Sequence, residues 1–229
     1  MQRRKTTRTI LVTGASRGIG AETARQLARP DTHVVVNYRA QTQHANAVAS
    51  AIRAAGGQAS TVAADISDDA ASAAMIEDIG RRFGTLDALV LNASGGLDQR
   101  SDANSARRAN RAAQRNLVRL VVPLMPTGGR IVFVTTHAAH FYPHKAVPKG
   151  YATTAASKWA GESALHAMRS DLHRSGIDFT VVSGDIVGDH EPADGLGEFA
   201  ATIANTVMTP TPSRIVYFRG ADHVDRISA

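Results

Sequence analysis

The segment Thr13-Gly14-Ala15-Ser16-Arg17-Gly18-Ile19-Gly20 follows directly on the apolar run Ile10-Leu11-Val12 and opens an amphipathic, alanine-rich stretch. Three glycines between a buried strand and a helix start leave few folds open. Gly14 permits a tight turn, Gly18 lets the backbone approach a ligand, and Gly20 lets the helix pack closely on the strand. The unpaired N–H groups of the first helical turn then carry partial positive charge, a seat for an anion such as a pyrophosphate.

The rest of the chain repeats the alternation. Short apolar runs predict strands over 9–13, 33–37, 59–64, 86–91, 130–135, 178–183 and 214–219. Between them lie predicted helices over 20–29, 43–55, 70–83, 106–125, 154–175 and 198–207. Strands this apolar are buried on both faces, as parallel strands joined by right-handed crossovers are. We therefore expect one α/β domain over 229 residues, doubly wound, with a mostly parallel seven-stranded sheet flanked by helices. A basic tail is expected over 1–8. Residues 136–150, with three histidines and two prolines, read as an irregular loop over a site, and 188–197 as a short lid-like loop.

Composition removes several functions. There is no cysteine, so disulfides, thiolate metal sites and thiol nucleophiles are excluded. No apolar run approaches the roughly 20 residues of a membrane span, and the N-terminus has no apolar signal core, so a cytoplasmic protein is expected. The net charge of +6 could attract nucleic acid, but the basic residues are dispersed and aromatics make up only 5%. A solvated basic surface is the better reading. His137, His140 and His144 have loosely ligand-like spacing, yet no acid or cysteine joins them before Gly150, and no metal is expected.

The spacing T-G-x-x-x-G-I-G resembles the short-chain dehydrogenase/reductase family, and the resemblance runs along nearly the whole chain. Ala64-Asp65-Ile66 is similar to that family's adenine-binding pair, and Leu91-Asn92-Ala93-Ser94 to its N-N-A-G with two changes. Asn110 falls where the family has its helix asparagine. Ser183-Gly184-Asp185-Ile186 matches its P-G-x-I/V, and Ile215–Phe218 with Gly220 its last strand and turn. The resemblance implies a Rossmann-like domain holding a nicotinamide dinucleotide. Gly14, Ser16, Arg17, Gly18, Ile19, Gly20, Asp65, Ile66, Asn92, Ala93, Ser94, Lys158, Gly184 and Ile186 would contact it.

The choice of cofactor can be read from the end of strand two. A site for a free ribose usually places a carboxylate there. Here the strand ends Asn37-Tyr38-Arg39, with no Asp or Glu between Asp31 and Asp65. A 2′-phosphate would instead want guanidinium groups, and Arg39 and Arg17 are placed to supply them. NADP(H) is expected, with NAD(H) less favoured through a ribose contact from Asn37.

The family implies a Tyr acid, a Lys four residues later, a Ser that orients the carbonyl and the Asn that anchors a water. Lys158 and Asn110 fit, and Thr136 stands for the Ser. The residue four before Lys158 is Thr154, whose hydroxyl is too weakly acidic to donate. Tyr151 is the nearest phenol, seven residues before Lys158. Seven residues of straight helix rise about 10.5 Å, against about 6 Å for four. Gly150 and Thr153-Thr154 suggest instead a helix that starts at Thr153 or Thr154 with Thr as N-cap, leaving Tyr151 in the preceding loop as a displaced acid. Tyr142, His137, His140 and His144 are lesser candidates.

Two functions follow. One is an NADPH-dependent oxidoreductase acting on a small carbonyl or alcohol, with Asn110, Thr136, Tyr151 and Lys158 as its catalytic set. The other is a catalytically weakened NADP-binding sensor or partner subunit. Arg107, Arg111, Arg115 and Arg119 form an i, i+4 stripe that reads as a solvated face, so a homodimer or homotetramer is implied by resemblance alone.

Overall fold

The computed structural model describes residues 7–93, 103–144, 146–148, 150–185, 193–211 and 213–218. Ser94, Ile186, Gly220, residues 1–6 of the tail and 188–192 of the expected lid lie outside the described residues.

Seven strands form one sheet in the order β3-β2-β1-β4-β5-β6-β7. They are β1 (Arg8–Val12), β2 (Thr32–Tyr38), β3 (Gln58–Ala63), β4 (Ala88–Leu91), β5 (Arg130–Thr136), β6 (Asp178–Gly184) and β7 (Ile215–Tyr217). Every neighbouring pair is parallel. The order reverses between β1 and β4, and the crevice beyond their carboxyl ends is where such sheets bind ligands.

The helices are α1 (Gly18–Gln26), α2 (Thr42–Ala54), α3 (Asp69–Phe83), α4 (Ala103–Val121), α5 (His137–His140), α6 (Ala152–Ala167), α7 (Arg169–Arg174) and α8 (Ala193–Met208). Alternate strand residues face opposite layers. Ile10, Val12, Val34, Val132 and Val182 pack with Leu27 at the C-cap of α1, Val48 and Ile52 of α2, and Ile203 of α8. Leu11, Val35, Leu89, Ile131 and Val181 pack with Ile79 of α3, Leu117 of α4 and Leu165 of α6. The two layers hold the sheet rigid while its carboxyl edge stays open.

Several expectations are corrected. The loop over 136–150 contains α5, because Thr136 caps it by accepting a bond from the Ala139 N–H. The helix over 154–175 is interrupted at Met168, whose carbonyl accepts from both Asp171 and Leu172 N–H groups. The helix over 106–125 stops at Val121 and tightens into a 3₁₀ turn at Val122–Leu124, around Pro123. The lid-like stretch is helical from Ala193 onward. Gly195 and Gly197 lie inside this helix, where packing overrides their low propensity: Phe199 of α8 is buried against Gly184, where an added Cβ would meet its ring at 2.7 Å.

Candidate active site

The glycine turn is laced to its surroundings by side chains. Thr13 Oγ1 donates to the Val90 carbonyl and accepts from the Asn92 and Ala93 N–H groups at 3.0 and 3.1 Å. Asn92 Nδ2 donates to the carbonyls of Thr13 and Gly14 at 3.1 and 3.3 Å. Gly14, at φ +62°, has Ala93 Cβ only 3.0 Å from where its own Cβ would sit, and at Gly20 a Cβ would meet Asn92 Nδ2 and the Gly14 carbonyl at 2.5 Å. Gly18, at φ +56°, faces open space.

Arg17 stands at the N-cap of α1 without a capping bond from its side chain, and no acid occupies the first turn. These are the features an anion seat needs: free N–H groups, a fixed turn and room above it. A dinucleotide's pyrophosphate fits that cradle. Ser16 and Ile19 are partly exposed beside it, and Arg17 is exposed.

At the end of β2, Asn37 is turned inward. It is 2% exposed, accepts from the Gly14 N–H at 3.3 Å and donates to the Val62 and Ala64 carbonyls at 3.4 and 3.0 Å. Its carboxamide thus joins the turn to β2 and β3. Tyr38 is buried as well, whereas Arg39 is exposed and reaches Asp65 at 3.8 Å. Asp65 also accepts from the Ser67 N–H and hydroxyl, and Ile66 packs in the core.

The catalytic candidates come from three elements. Thr136 ends β5, in register with Gly184 of β6. Tyr151 flanks the start of α6, which begins one residue later; Thr153 and Thr154 therefore lie in the first turn and neither is the N-cap. That placement carries the phenol back to β5, with its hydroxyl 3.3 Å from Thr136 Oγ1. Burial raises the Tyr151 pKa, an effect the Thr136 bond partly offsets.

Lys158, two turns along α6, sends Nζ toward the Val134 carbonyl at 3.4 Å. Burial lowers its ammonium to about 8, and the Glu162 carboxylate opposes that shift. Asn110 on α4 donates to the Ser157 carbonyl at 2.9 Å and accepts from Gln114 at 3.0 Å. It therefore fixes α6 next to Lys158. Gly161 makes the approach feasible, since a Cβ there would lie 3.0 Å from Asn110 Nδ2.

The three loop histidines are not brought together. His137 binds Ser183 Oγ at 2.9 Å through Nδ1 and donates to the Phe218 carbonyl at 3.2 Å through Nε2. His144 is exposed. His140 Nδ1 donates to Glu162 Oε1 at 2.5 Å, and its Nε2 pairs with the Tyr217 hydroxyl at 3.1 Å. His166 Nε2 reaches the same Glu162 oxygen at 3.3 Å. Burial alone would raise the Glu162 carboxyl, but the bonds from His140 and His166 outweigh it and hold the pKa below the usual value. Sequence reasoning missed this cluster. Its signal was the i, i+4 spacing of Lys158 and Glu162.

On the outer face of α4, Arg107 lies over the Trp159 ring at 5.8 Å. Arg111, Arg115 and Arg119 line an open groove of about 510 Å³ against α6 and α7. No helix among the described residues is long and apolar enough to cross a membrane.

Comparison with known proteins agrees with this geometry. The chain is 32% identical over 181 residues to a hydroxynaphthalene reductase of Aspergillus fumigatus, covering 76% of this chain and 64% of that one. It is 32% identical over 184 residues to a 1-cyclohexenylcarbonyl-CoA reductase of Streptomyces collinus, covering 77% and 64%. The matched part thus spans about 64% of the length of these relatives. A Burkholderia cenocepacia short-chain dehydrogenase solved in complex with NADP superposes with a TM-score of 0.78 at 27% identity, over 96% of this chain and 100% of that one. A metagenomic short-chain oxidoreductase in complex with NADP gives 0.76 at 28%, over 93% and 98%. Residues 8–188 match the short chain dehydrogenase family, and the chain belongs to it.

Proposed function

We propose that this chain is an NADPH-dependent oxidoreductase that interconverts a carbonyl and an alcohol, with Tyr151 as a displaced proton donor. The observation that carries the reading is the 3.3 Å contact between the Tyr151 hydroxyl and Thr136 Oγ1. It brings a phenol to the hydroxyl that stands in the carbonyl-orienting position, although Thr154 occupies the four-residue spacing from Lys158. Relatives named as reductases, and solved structures in complex with NADP, support the reaction class and the cofactor.

When bound, the nicotinamide supplies the hydride. The residues do the rest. Gly14, Gly18, Gly20 and the first turn of α1 would seat the pyrophosphate, with Asn92 and Ala93 bracing that turn. Arg39 and Arg17 would meet a 2′-phosphate, each by charge-assisted hydrogen bonds. Thr136 donates to the substrate oxygen and fixes its direction. Tyr151 gives its proton to the same oxygen as charge develops there, and the Lys158 ammonium holds the ribose and favours the phenolate that remains. Asn110 keeps α6 and Lys158 in place through the Ser157 carbonyl.

The test is turnover. The purified chain should oxidise NADPH in the presence of a panel of small and aromatic ketones, and Tyr151→Phe should lose that activity. Binding of NADPH without turnover on any panel member would replace this reading with a cofactor sensor or partner subunit.

A further inference from the structure

The cluster behind Lys158 is unusual for a protein core. Glu162 is 4% exposed, lies one turn along α6 from Lys158, and receives both histidine bonds on a single oxygen, Oε1. Its other oxygen, Oε2, is buried with no hydrogen-bond partner among the described residues. Leaving a carboxylate oxygen unpaired in a core costs free energy that a leucine or methionine would avoid. Residues four apart on a helix lie on one face, about 6 Å apart at Cβ, so the unpaired charge is close to the lysine.

We propose that Glu162 is a positioning residue for Lys158: anchored on one oxygen by His140 and His166, its carboxylate keeps the neighbouring ammonium charged and so able to hold the ribose and act on Tyr151. The inference rests on the role given to Lys158 above.

The groups around the pair are few. Lys158 Nζ faces the Val134 carbonyl of β5. Glu162 is faced by His140 of α5, His166 of α6 and, through His140, Tyr217 of β7. Among these described groups, Glu162 is the carboxylate. Without it, desolvation would act on the ammonium unopposed, and the amine would become neutral at lower pH. His166 is the solvent-facing member, with 36% of its side chain exposed against 11% for His140. The anchor is therefore held from the surface as well as from the site.

The chain has only four lysines, Lys5, Lys145, Lys149 and Lys158, which makes a direct measurement practical. Full-length protein labelled with ¹³C at the lysine ε-carbons is titrated by NMR, and Lys158 is assigned by its absence in Lys158→Arg. In the unsubstituted protein the Lys158 signal should titrate near 8. In Glu162→Gln it should titrate about one pH unit lower, and Glu162→Asp should bring it back toward the original value. Should Glu162→Gln fail to fold, the pair His140→Gln/Glu162→Gln keeps a hydrogen-bonded contact without the charge and gives the same measurement. An unchanged Lys158 titration in either folded variant overturns the proposal. The readout needs no turnover. Ketone reduction with an unmoved Lys158 titration defeats this inference alone, while a moved titration in a chain that reduces nothing defeats only the proposed reaction.

Discussion

The Tyr151 hydroxyl and Thr136 Oγ1, fifteen residues apart in sequence, lie 3.3 Å apart at the carboxyl edge of β5. Two hydroxyls at that separation can converge on one substrate oxygen. Tyr151 is the more acidic, so its loss should be the more damaging. Tyr151→Phe should cut kcat about 100-fold or more in an NADPH-oxidation assay, and Thr136→Ala somewhat less. Thr154→Ala should leave kcat within about threefold. Full activity in Tyr151→Phe together with a large loss in Thr154→Ala would move the proton donor to Thr154.

The pH dependence follows from two opposite shifts. Burial raises the Tyr151 pKa, so the phenol keeps its proton well into the alkaline range. Burial lowers Lys158 to about 8, so the ammonium is charged below that pH and lost above it. In the direction of carbonyl reduction, kcat should therefore fall as pH rises through about 8, and the falling limb belongs to Lys158. A rate flat to pH 10 or above, with stable protein, would contradict that assignment.

The fold was legible because it depends on periodicity. Apolar runs at 9–13, 33–37 and 130–135 mark strands buried on both faces, and the glycine turn sets the order of the first unit. The elements misread were those set by tertiary contact. α5 exists because one threonine caps it, and α8 begins early despite Gly195 and Gly197 because Phe199 is pressed against Gly184. In the site, Lys158, Thr136 and Asn110 carry family spacings. The contact of Tyr151 with Thr136 depends instead on where α6 starts. The bonds of Glu162 to His140 and His166 depend on how α5 packs against α6, which no local pattern encodes.

Gly20 is a sharper test of the anion seat than Gly18. A Cβ at Gly20 would lie 2.5 Å from both Asn92 Nδ2 and the Gly14 carbonyl, so Gly20→Ala must push the turn away from β4. Overpacking of this kind costs about 1–3 kcal/mol, which denaturant unfolding would register as a lower midpoint at unchanged slope. NADPH affinity should fall with it, because Asn92 could no longer hold the Thr13 and Gly14 carbonyls. Unchanged stability and affinity would mean that α1 can slide along the sheet without loss.

In the proposed function Arg39 would decide between the two nicotinamide dinucleotides. It is exposed at the end of β2, tied only loosely to Asp65 at 3.8 Å, while the neighbouring Asn37 is committed to the Gly14 N–H and two β3-side carbonyls. A guanidinium so placed can turn to a 2′-phosphate at small cost, and a bond between two charged groups contributes about 1.5–3 kcal/mol. Arg39→Ala should therefore weaken NADPH binding by about 10- to 100-fold and leave NADH binding nearly unchanged, as measured by calorimetry with each dinucleotide. Equal losses for both would mean that Arg39 serves the adenosine in general. In that case Arg17, at the N-cap of α1, becomes the residue to which the phosphate preference must be assigned.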